Sequence, residues 1–438
     1  MVGLNGVVST DPGVDDIVAI LLAIASPELE ILGFITSFGN TDIESSHLNI
    51  LKAYQAISRH IERLPADAAR FPNFSAASKP FLARGSAGPL EGEIHSAQYF
   101  HGRRVCLTSL RAQPVMIFRD GLGDITKRHP ELDLDPEYAA SQQSYLTVTD
   151  RPGVDVAAEL IESRPPRTVT FLALGPLTDL SCLMSRYGAT IRDRIGRIVC
   201  MGGALDVPGN TTPVAEFNFF ADPFAVKNLL VEGKETDDLL LPLDRFLLLP
   251  LDITTPHELP FPFYAEQVDQ QFEDPTQMPV SPVVHFTSAF LRQTRKIMLE
   301  FGKDAMELHD IVAVWCAIEN PPVPDGMPNR LGANWKACRR LFDIERTGEL
   351  TRGFLVVDRR EDASAYAPGA NRAETQAELE KLGTNHRMLE STALPAQVET
   401  ESKLEDGHGS GVLCVHETPG PAALLRLLAH RVWGVPHP

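Results

Sequence analysis

Strand-like and helix-like segments alternate along the amino-terminal part of the chain. Runs rich in β-branched residues predict strands at residues 6–9 and at Leu29–Thr36, and helical patterns follow them at residues 15–25 and 45–57. Such alternation is typical of a parallel sheet covered by helices. We therefore expect an α/β fold with an open, mainly parallel, Rossmann-like sheet flanked by helices.

The rest of the chain continues this pattern. Further strands are predicted at Val169–Ala173 and at residues 198–201 and 246–251, and a last strand and a closing helix at residues 412–415 and 422–432. Each of the three middle strands is followed by a loop rich in Gly, Pro, Asp or Thr. Because ligands of open α/β sheets bind at the carboxyl ends of strands, the polar residues of these loops are the candidates for a site.

Two polar stretches predict insertions into a single domain that spans residues 1–438. Residues 59–92, with several Pro and Ala, predict a flexible loop beside the expected cleft. Residues 361–411 are charged and poor in large apolar side chains, which predicts a disordered insertion.

Charge and composition limit the partners of the chain. The 438 residues carry a formal net charge of −18 at pH 7, which argues against nucleic acid and anionic membranes because phosphate contacts need clustered Lys and Arg. A small-molecule substrate is more consistent with this net charge.

The six cysteines are scattered without a Cys-x-x-Cys pair, which suggests a reducing compartment and no zinc site. No apolar run reaches the roughly 18 residues of a membrane span, so we expect a cytoplasmic protein.

An acidic segment follows the first predicted strand. Asp11, Asp15 and Asp16 surround the Pro12-Gly13 turn, and a strand, turn and helix in succession would direct all three into one crevice, where their carboxylates repel one another. A hard divalent cation relieves this repulsion, and oxygen ligands favour Ca²⁺ or Mg²⁺ over zinc. Aspartate is also a common helix N-cap, so the spacing leaves capping and metal binding equally open.

Four later segments carry further polar motifs. They are Phe38-Gly39-Asn40-Thr41, Leu174-Gly175-Pro176-Leu177-Thr178-Asp179, the sequence GNTTPVAEFN at residues 209–218, and Leu308-His309-Asp310. Each motif alone is weak, but together with the acidic segment their set and order resemble the inosine-uridine preferring nucleoside hydrolase family over residues 7–358. The resemblance implies hydrolysis of the N-glycosidic bond of ribonucleosides, giving ribose and a free purine or pyrimidine base.

The resemblance also implies a Ca²⁺ site with oxygen ligands. Asp11 and Asp16 look like ligands of the ion, joined by Asp310 and by the backbone carbonyl of Leu174. This all-oxygen set suits Ca²⁺. Asp11 also looks like the general base for a water molecule on the ion, which would attack the anomeric carbon of ribose.

The substrate-binding residues are implied in the same way. Asp15 and Asn40 resemble the residues that hold the 2′- and 3′-hydroxyls of ribose, with Asn218 on the 3′ side and Asn210 and Glu216 near the 5′-hydroxyl. Polar groups around the sugar suit an oxocarbenium-like transition state. Glu216 and Asn218 have an alternative role, which is only to order their loop.

His309 resembles the histidine that the family places near the departing base, where an imidazole donates a proton. The alternative is that His309 caps the helix that begins near Asp310. Members of the family are commonly dimers or tetramers, so the resemblance also implies a homo-oligomer.

The chain departs from the family pattern at two places. Ser9 stands where the family usually has Asp, and the loss of that charge is expected to loosen the metal site. The family loop His-Gly-x-Asp-Gly-Leu-Gly is split, because residues 103–118 separate His101-Gly102 from residues 119–123. We interpret residues 103–118 either as a flap inserted beside the cleft or as the translation of an unremoved intron.

Two other functions follow from these departures and from the acidic segment. A non-catalytic relative that binds ribose or Ca²⁺ would account for Ser9 and for the split loop. A phosphatase with an aspartate nucleophile would need a downstream Lys in a matching context and a second acidic loop. The phosphatase interpretation lacks this support and leaves the predicted sugar-binding residues unexplained.

Overall fold

A central sheet organises the molecule. The computed structural model describes residues 4–95, 120–141, 145–231, 240–274, 279–323, 330–358 and 411–436. In these ranges the strands are, in chain order, β1 (Leu4–Thr10), β2 (Leu29–Thr36), β3 (Phe81–Arg84), β4 (Thr147–Thr149), β5 (Val169–Ala173), β6 (Ile195–Met201), β7 (Phe246–Leu249), β8 (Glu258–Pro260), β9 (Ala305–Glu307), β10 (Lys336–Arg340), β11 (Phe342–Ile344), β12 (Leu355–Val357) and β13 (Val412–Glu417).

Helices connect most of these strands. In the same ranges the α-helices are, in chain order, α1 (Val14–Ile24), α2 (Ile43–Arg63), α3 (Ile125–Arg128), α4 (Pro136–Ser141), α5 (Gly153–Ser163), α6 (Thr178–Arg194), α7 (Phe217–Ala221), α8 (Pro223–Leu230), α9 (Leu251–Thr254), α10 (Phe261–Gln267), α11 (Pro282–Glu300), α12 (His309–Glu319) and α13 (Pro421–Trp433). Short 3-10 helices lie at Pro65–Arg70 and Pro130–Leu132.

Nine strands form the central sheet in the order β10-β13-β7-β6-β5-β1-β2-β3-β4. Neighbouring strands are parallel throughout, except for the antiparallel pair β10 and β13. The predicted α/β class with an open, mainly parallel sheet flanked by helices is therefore confirmed. The chain leaves β1 first towards β4 and then, from β5 onwards, in the opposite direction. The loops after β1 and β5 diverge at this switch point and leave a crevice between them.

Apolar packing holds the sheet between two layers of helices. All residues of β1 and β5 are buried, as expected of parallel strands that are covered on both faces. Val8 and Leu172 pack into one core with α1, α2, α11, α12 and α13, whereas Val7 and Phe171 pack into a second core with α5, α6 and α8. Alternate residues of each strand thus face opposite helical layers.

The predicted loop over residues 59–92 is wrong for much of its length. α2 continues to Arg63, a 3-10 helix follows at Pro65–Arg70, and β3 pairs in parallel with β2. Only Leu82 and Ala83 of β3 are fully buried. Such a short apolar segment within a polar stretch gives a weak sequence signal, and its place in the sheet depends on β2.

The end of the chain follows the prediction. The predicted last strand and closing helix correspond to β13 and α13. Residues 101–118, which include the proposed flap, lie outside the described residues, as do residues 361–410 of the predicted insertion. None of the helices in the described ranges combines the length and the apolar character that a bilayer crossing needs.

Candidate active site

Four candidate residues come together around the crevice between β1 and β5. Asp11 directly follows β1, and Leu174 directly follows β5. Asp16 lies in the first turn of α1, and Asp310 lies in the first turn of α12, which packs against α1. The switch point of the sheet therefore gathers residues that are far apart in the chain.

The carboxylates of Asp15, Asp16 and Asp310 form a compact acidic cluster. One oxygen of each lies within 4.8 Å of one oxygen of each of the others. Asp16 and Asp310 are buried and share a hydrogen bond, and Asp15 is half-buried. Because a hydrogen bond between two carboxyl groups requires a proton, the cluster either holds protons or needs a cation when it ionises.

Asp11 is buried beside this cluster. Its Oδ2 accepts a hydrogen bond from the backbone N–H of Asn40 at 2.7 Å, whereas its Oδ1 has no hydrogen-bond partner within the described ranges. A Cβ atom on Gly175 would lie 2.6 Å from Oδ1, and a Cβ atom on Gly39 would overlap Oδ2. Both loops therefore need glycine in order to approach the Asp11 carboxylate this closely.

Three hydrogen bonds to its two carboxylate oxygens fix the Asp16 side chain. Its Oδ1 accepts from Thr10 Oγ1 at 2.6 Å, and its Oδ2 accepts from the backbone N–H of Gly13 at 3.1 Å and from the side-chain amide of Asn40 at 2.8 Å. Gly13 is the N-cap residue of α1, so Asp16 satisfies a backbone N–H at the start of that helix. Asp16 therefore contributes to capping from the third helical position and is not itself the N-cap, and the same carboxylate is part of the acidic cluster.

Burial and mutual repulsion raise the pKa values of the carboxyl groups in the crevice. Burial and then repulsion by Asp16 hold the pKa values of Asp11 and Asp310 well above their usual range. The same two causes raise the pKa of Asp15 to about 6, and burial raises that of Asp16. A hard divalent cation would stabilise the ionised forms. The all-oxygen donor set and the unpartnered Oδ1 of Asp11 therefore fit such an ion.

His309 is the first residue of α12. Its Nδ1 lies 2.8 Å from Thr254 Oγ1, and its Nε2 lies 2.9 Å from Glu307 Oε2. Burial disfavours the imidazolium, but Glu307 and Asp15 outweigh it and raise the pKa of His309. The N-cap residue of α12 is Leu308, so the alternative that His309 caps this helix is wrong. The surroundings favour a protonated imidazole beside the acidic cluster.

Two of the predicted sugar-binding residues, Asn40 and Asn218, form hydrogen bonds with residues of the crevice. Asn40 bonds to the carboxylates of Asp11 and Asp16. Asn218 is buried, and its side-chain amide donates to the carbonyl of Leu174 at 2.7 Å. The Leu174 carbonyl therefore points towards polar groups and has one lone pair left for a further partner.

Glu216 and Asn210 order the loop before α7. Glu216 is the N-cap residue of α7, where its Oε1 accepts from the backbone N–H of Asn218 at 2.8 Å and its Oε2 accepts from two further backbone N–H groups. Asn210 is exposed, and its Oδ1 accepts from the backbone N–H of Phe217 at 3.0 Å. Glu216 therefore orders its loop, and it also lies close enough to His309 for their charges to interact.

Sequence reasoning missed three residues that hold the candidate side chains in place. Thr10 bonds to Asp16, whereas Thr254 and Glu307 bond to His309. Thr10 and Glu307 directly precede two of the motifs, so their position in the sequence could have indicated them. Thr254 belongs to α9 and reaches His309 only through the tertiary fold, so no pattern in the sequence indicated it.

The sequence profile described as inosine-uridine preferring nucleoside hydrolase matches residues 7–391. The chain belongs to this family. Members of the nucleoside hydrolase family are N-glycosyl hydrolases, so the resemblance that the motifs indicated is confirmed, and so is the enzyme class.

Individual nucleoside hydrolases are only moderately similar to this chain. It is 28% identical over 355 residues to the inosine-uridine preferring nucleoside hydrolase of Leishmania major, which covers 81% of this chain and 87% of that protein. It is 32% identical over 230 residues to uridine nucleosidase 1 of Arabidopsis thaliana, over 52% of this chain and 54% of that protein. The solved purine-preferring ribonucleoside hydrolase of Gardnerella vaginalis has the same fold, with a TM-score of 0.59, 17% identity and 98% of both chains covered.

A buried carboxylate lies next to Ser9 in this nucleoside hydrolase. Asp179, in the first turn of α6, accepts hydrogen bonds from the backbone N–H and from Oγ of Ser86, both at 2.6 Å, and Ser9 interacts with the same carboxyl group. Burial raises the pKa of Asp179 to about 6. A carboxyl group is therefore present beside position 9, although it comes from another element of the fold.

Proposed function

We propose that this nucleoside hydrolase is a Ca²⁺-dependent N-glycosidase that splits ribonucleosides into ribose and a free purine or pyrimidine base. The observation that carries the proposal is the buried Asp11 carboxylate, which has one unpartnered oxygen and lies beside the cluster of Asp15, Asp16 and Asp310. Such a concentration of buried acids is unfavourable unless a ligand compensates their charge. Membership of the family supplies the reaction class.

Asp11, Asp16, Asp310 and the Leu174 carbonyl are the residues that would hold the ion. All four offer oxygen atoms, which are the ligands that Ca²⁺ prefers. When bound, Ca²⁺ supplies positive charge that stabilises the ionised carboxylates and makes a nearby water molecule more acidic.

The residues of the crevice have separate roles in the proposed reaction. Asp11 Oδ1 accepts the proton of the water that attacks the anomeric carbon, which is a role for a carboxylate with a raised pKa. Asp15 and Asn40 bind the ribose diol, with Asn218 on the 3′ side. The negative charges around the sugar stabilise the positive charge that grows on the ring as the glycosidic bond breaks.

His309 is proposed to protonate the departing base. Its pKa is raised chiefly by Glu307 once the opposing effect of burial is overcome, so that an imidazolium is available near neutral pH. Glu216 and Asn210 are proposed to contribute to binding near the 5′-hydroxyl through the loop that they order. We also propose that the protein acts as a cytoplasmic homo-oligomer, which light scattering and cell fractionation would test.

A base-release assay tests the proposal. The purified protein is incubated with inosine, uridine, cytidine and nicotinamide riboside, after dialysis against a chelator and again after Ca²⁺ is restored. We expect free base only with Ca²⁺. Asp11→Asn should lower the rate by on the order of 10²- to 10⁴-fold, the usual contribution of a general base.

Asp42→Asn is the matched control for Asp11→Asn. Asp42 is an exposed N-cap of α2, and Asn caps helices as well as Asp does, so this variant should keep full activity. Base release by Asp11→Asn at the wild-type rate would refute the assigned role. Calorimetry that showed ribose binding by the wild type without any turnover would instead favour the non-catalytic relative.

A further inference from the structure

Two histidines and a glutamate meet outside the candidate active site. His129 follows α3, Glu131 lies in the 3-10 helix Pro130–Leu132, and His285 lies in the first turn of α11. Glu131 Oε1 is 3.1 Å from His129 Nδ1 and 3.0 Å from His285 Nε2. The two imidazole rings lie nearly perpendicular, with centroids 5.6 Å apart.

The separations of these three atoms are close to those of a tetrahedral metal site. The two nitrogens and the carboxylate oxygen all lie within 4.8 Å of one another. Zinc bonds to histidine nitrogen and carboxylate oxygen at about 2.0–2.2 Å, so its ligand atoms lie roughly 3.3 Å apart in a tetrahedron. The cluster needs only small side-chain movements to reach that spacing.

The electrostatics of the cluster suit metal ligands. Burial lowers the pKa of His285, which favours the neutral imidazole that binds metals. Burial opposes ionisation of Glu131, but hydrogen bonds from its own backbone and from the two histidines lower its pKa. Among the basic side chains around the cluster, Arg59 forms an ion pair with Asp135 at 3.8 Å and Arg292 forms one with Asp269 at 3.3 Å, whereas Lys52 donates a hydrogen bond to Thr126 Oγ1 at 3.0 Å.

A cavity gives access to the cluster. Glu131 and His285 line a cavity of about 200 Å³, together with Gln55 and the basic side chains of Lys52, Arg59 and Arg63. Two of the three proposed ligands therefore border an open space, as in zinc sites in which water or another ligand takes the fourth position.

We propose that His129, Glu131 and His285 bind a Zn²⁺ ion, with the fourth coordination position directed to the cavity. The nitrogen and oxygen donor set distinguishes this site from the all-oxygen acidic cluster, because imidazole favours Zn²⁺ over Ca²⁺. The ion would replace the direct hydrogen bonds from the two imidazoles to Glu131, and each neutral imidazole would then carry its proton on the ring nitrogen that does not bind the ion.

The ion would connect α11 to the segment that borders the crevice. Residues 120–131 pass from the Asp120 turn to the cluster, and the side-chain amide of Asn49 donates both to the Asp120 carbonyl at 2.7 Å and to the Pro12 carbonyl at 2.9 Å. A metal link to α11 would therefore stabilise a wall of the candidate active site. Zinc should raise the Tm, because a ligand that binds only the folded state stabilises it by mass action.

Zinc binding by the full-length protein in excess Ca²⁺ tests the proposal. Excess Ca²⁺ occupies sites that consist of oxygen ligands, and calorimetry then measures the additional binding of Zn²⁺. We expect one equivalent of zinc per chain in the wild type, a higher Tm with zinc, and visible absorption of a tetrahedral site when Co²⁺ replaces zinc. His129→Gln, Glu131→Gln and His285→Gln should each lose this equivalent and the Tm increase.

His416→Gln is the matched control, because His416 is an exposed histidine of β13 away from the cluster. It should bind zinc as the wild type does. His129→Gln and Glu131→Gln keep the test valid if the more buried His285→Gln misfolds. The proposal is overturned if the wild type binds no zinc under these conditions, which would leave only a hydrogen-bonded network, or if folded His129→Gln and Glu131→Gln retain the same equivalent.

Discussion

Asp16 and Asp310 share a hydrogen bond between the first turns of α1 and α12, although one residue lies near the beginning of the chain and the other beyond its middle. Both side chains are buried. Two carboxyl groups in such contact cannot both ionise without a compensating positive charge. Protons and cations therefore compete for this pair, and several properties of the protein should depend on which of them is bound.

Without a cation, the contribution of Asp15 to stability should fall as the pH rises from about 4 to about 6. The pKa of Asp15 is raised to about 6, whereas that of an unfolded aspartate is about 3.9. Between these values Asp15 binds its proton more strongly in the folded state than in the unfolded state, so its contribution to the free energy of unfolding decreases with rising pH. Thermal unfolding after dialysis against a chelator measures this decrease, and added Ca²⁺ should reverse it at pH 7.

Asp15→Asn is the control for this pH dependence, because it removes one of the titrating groups. The Tm of the wild type relative to that of Asp15→Asn should fall between pH 4 and pH 6. A Tm difference between wild type and Asp15→Asn that is the same at pH 4 and pH 6, or a wild-type Tm that does not respond to Ca²⁺ at pH 7, would contradict the prediction.

Asp310→Asn should weaken Ca²⁺ binding and stabilise the metal-free protein. The substitution removes one charge from the buried cluster, which relieves repulsion when no ion is present and removes a ligand when one is. We expect at least a roughly 100-fold loss of Ca²⁺ affinity, as large as the upper range for changes around metal ligands. Calorimetry measures the affinity, and equal affinities for Asp310→Asn and wild type would show that Asp310 is not a ligand.

Glu307→Gln should shift the alkaline limb of the pH–kcat profile to lower pH. The Glu307 carboxylate raises the pKa of His309, so its removal lets the imidazole lose its proton earlier, by about 1 to 3 pH units. Glu258→Gln is the matched control, because Glu258 lies opposite Glu307 in the two-stranded antiparallel sheet of β8 and β9 and pairs with Lys303. An unchanged alkaline limb in Glu307→Gln would argue against His309 as the acid.

Gly39→Ala should reduce activity far more than Gly302→Ala. Both glycines have positive φ, at +153° and +76°, but a Cβ on Gly39 would overlap the Asp11 carboxylate, whereas one on Gly302 would meet nothing within 4 Å. Gly302→Ala should therefore cost about 1 kcal/mol of stability through backbone strain alone. Gly39→Ala should also displace Asp11, and a displacement of roughly 1 Å lowers turnover by about 100-fold.

Initial rates and denaturant unfolding of both glycine variants separate the two effects. Wild-type kcat in Gly39→Ala would show that the approach of Gly39 to Asp11 has no role in the reaction.

The periodicity and composition of the sequence were sufficient to predict most strands of the sheet. β2 and β5 have the predicted bounds, because a continuous apolar run with β-branched residues is typical of a strand that is buried on both faces. β3 was missed because its two fully buried residues lie within a polar stretch. A short strand of this kind is stabilised mainly by its neighbours.

The candidate site was predictable from the sequence where its residues belong to motifs. The acidic segment, Asn40 and the His309-Asp310 pair were all identified, since crowded carboxylates and polar residues that follow strands are local signals of a binding site. The sequence did not predict every role of each residue. Glu216 is a helix cap as well as a candidate ligand of the sugar, and its backbone partners depend on how its loop folds.

The sequence by itself determined the class of fold, the family and the acidic character of the site, because these properties depend on local patterns and on residue types. Only the tertiary structure decided that Thr254 contacts His309, that Asp179 lies beside Ser9 and that His129 and His285 share Glu131. Contacts between distant segments depend on how the helices pack on the sheet, and the order of residues in the chain does not encode such packing in any local pattern.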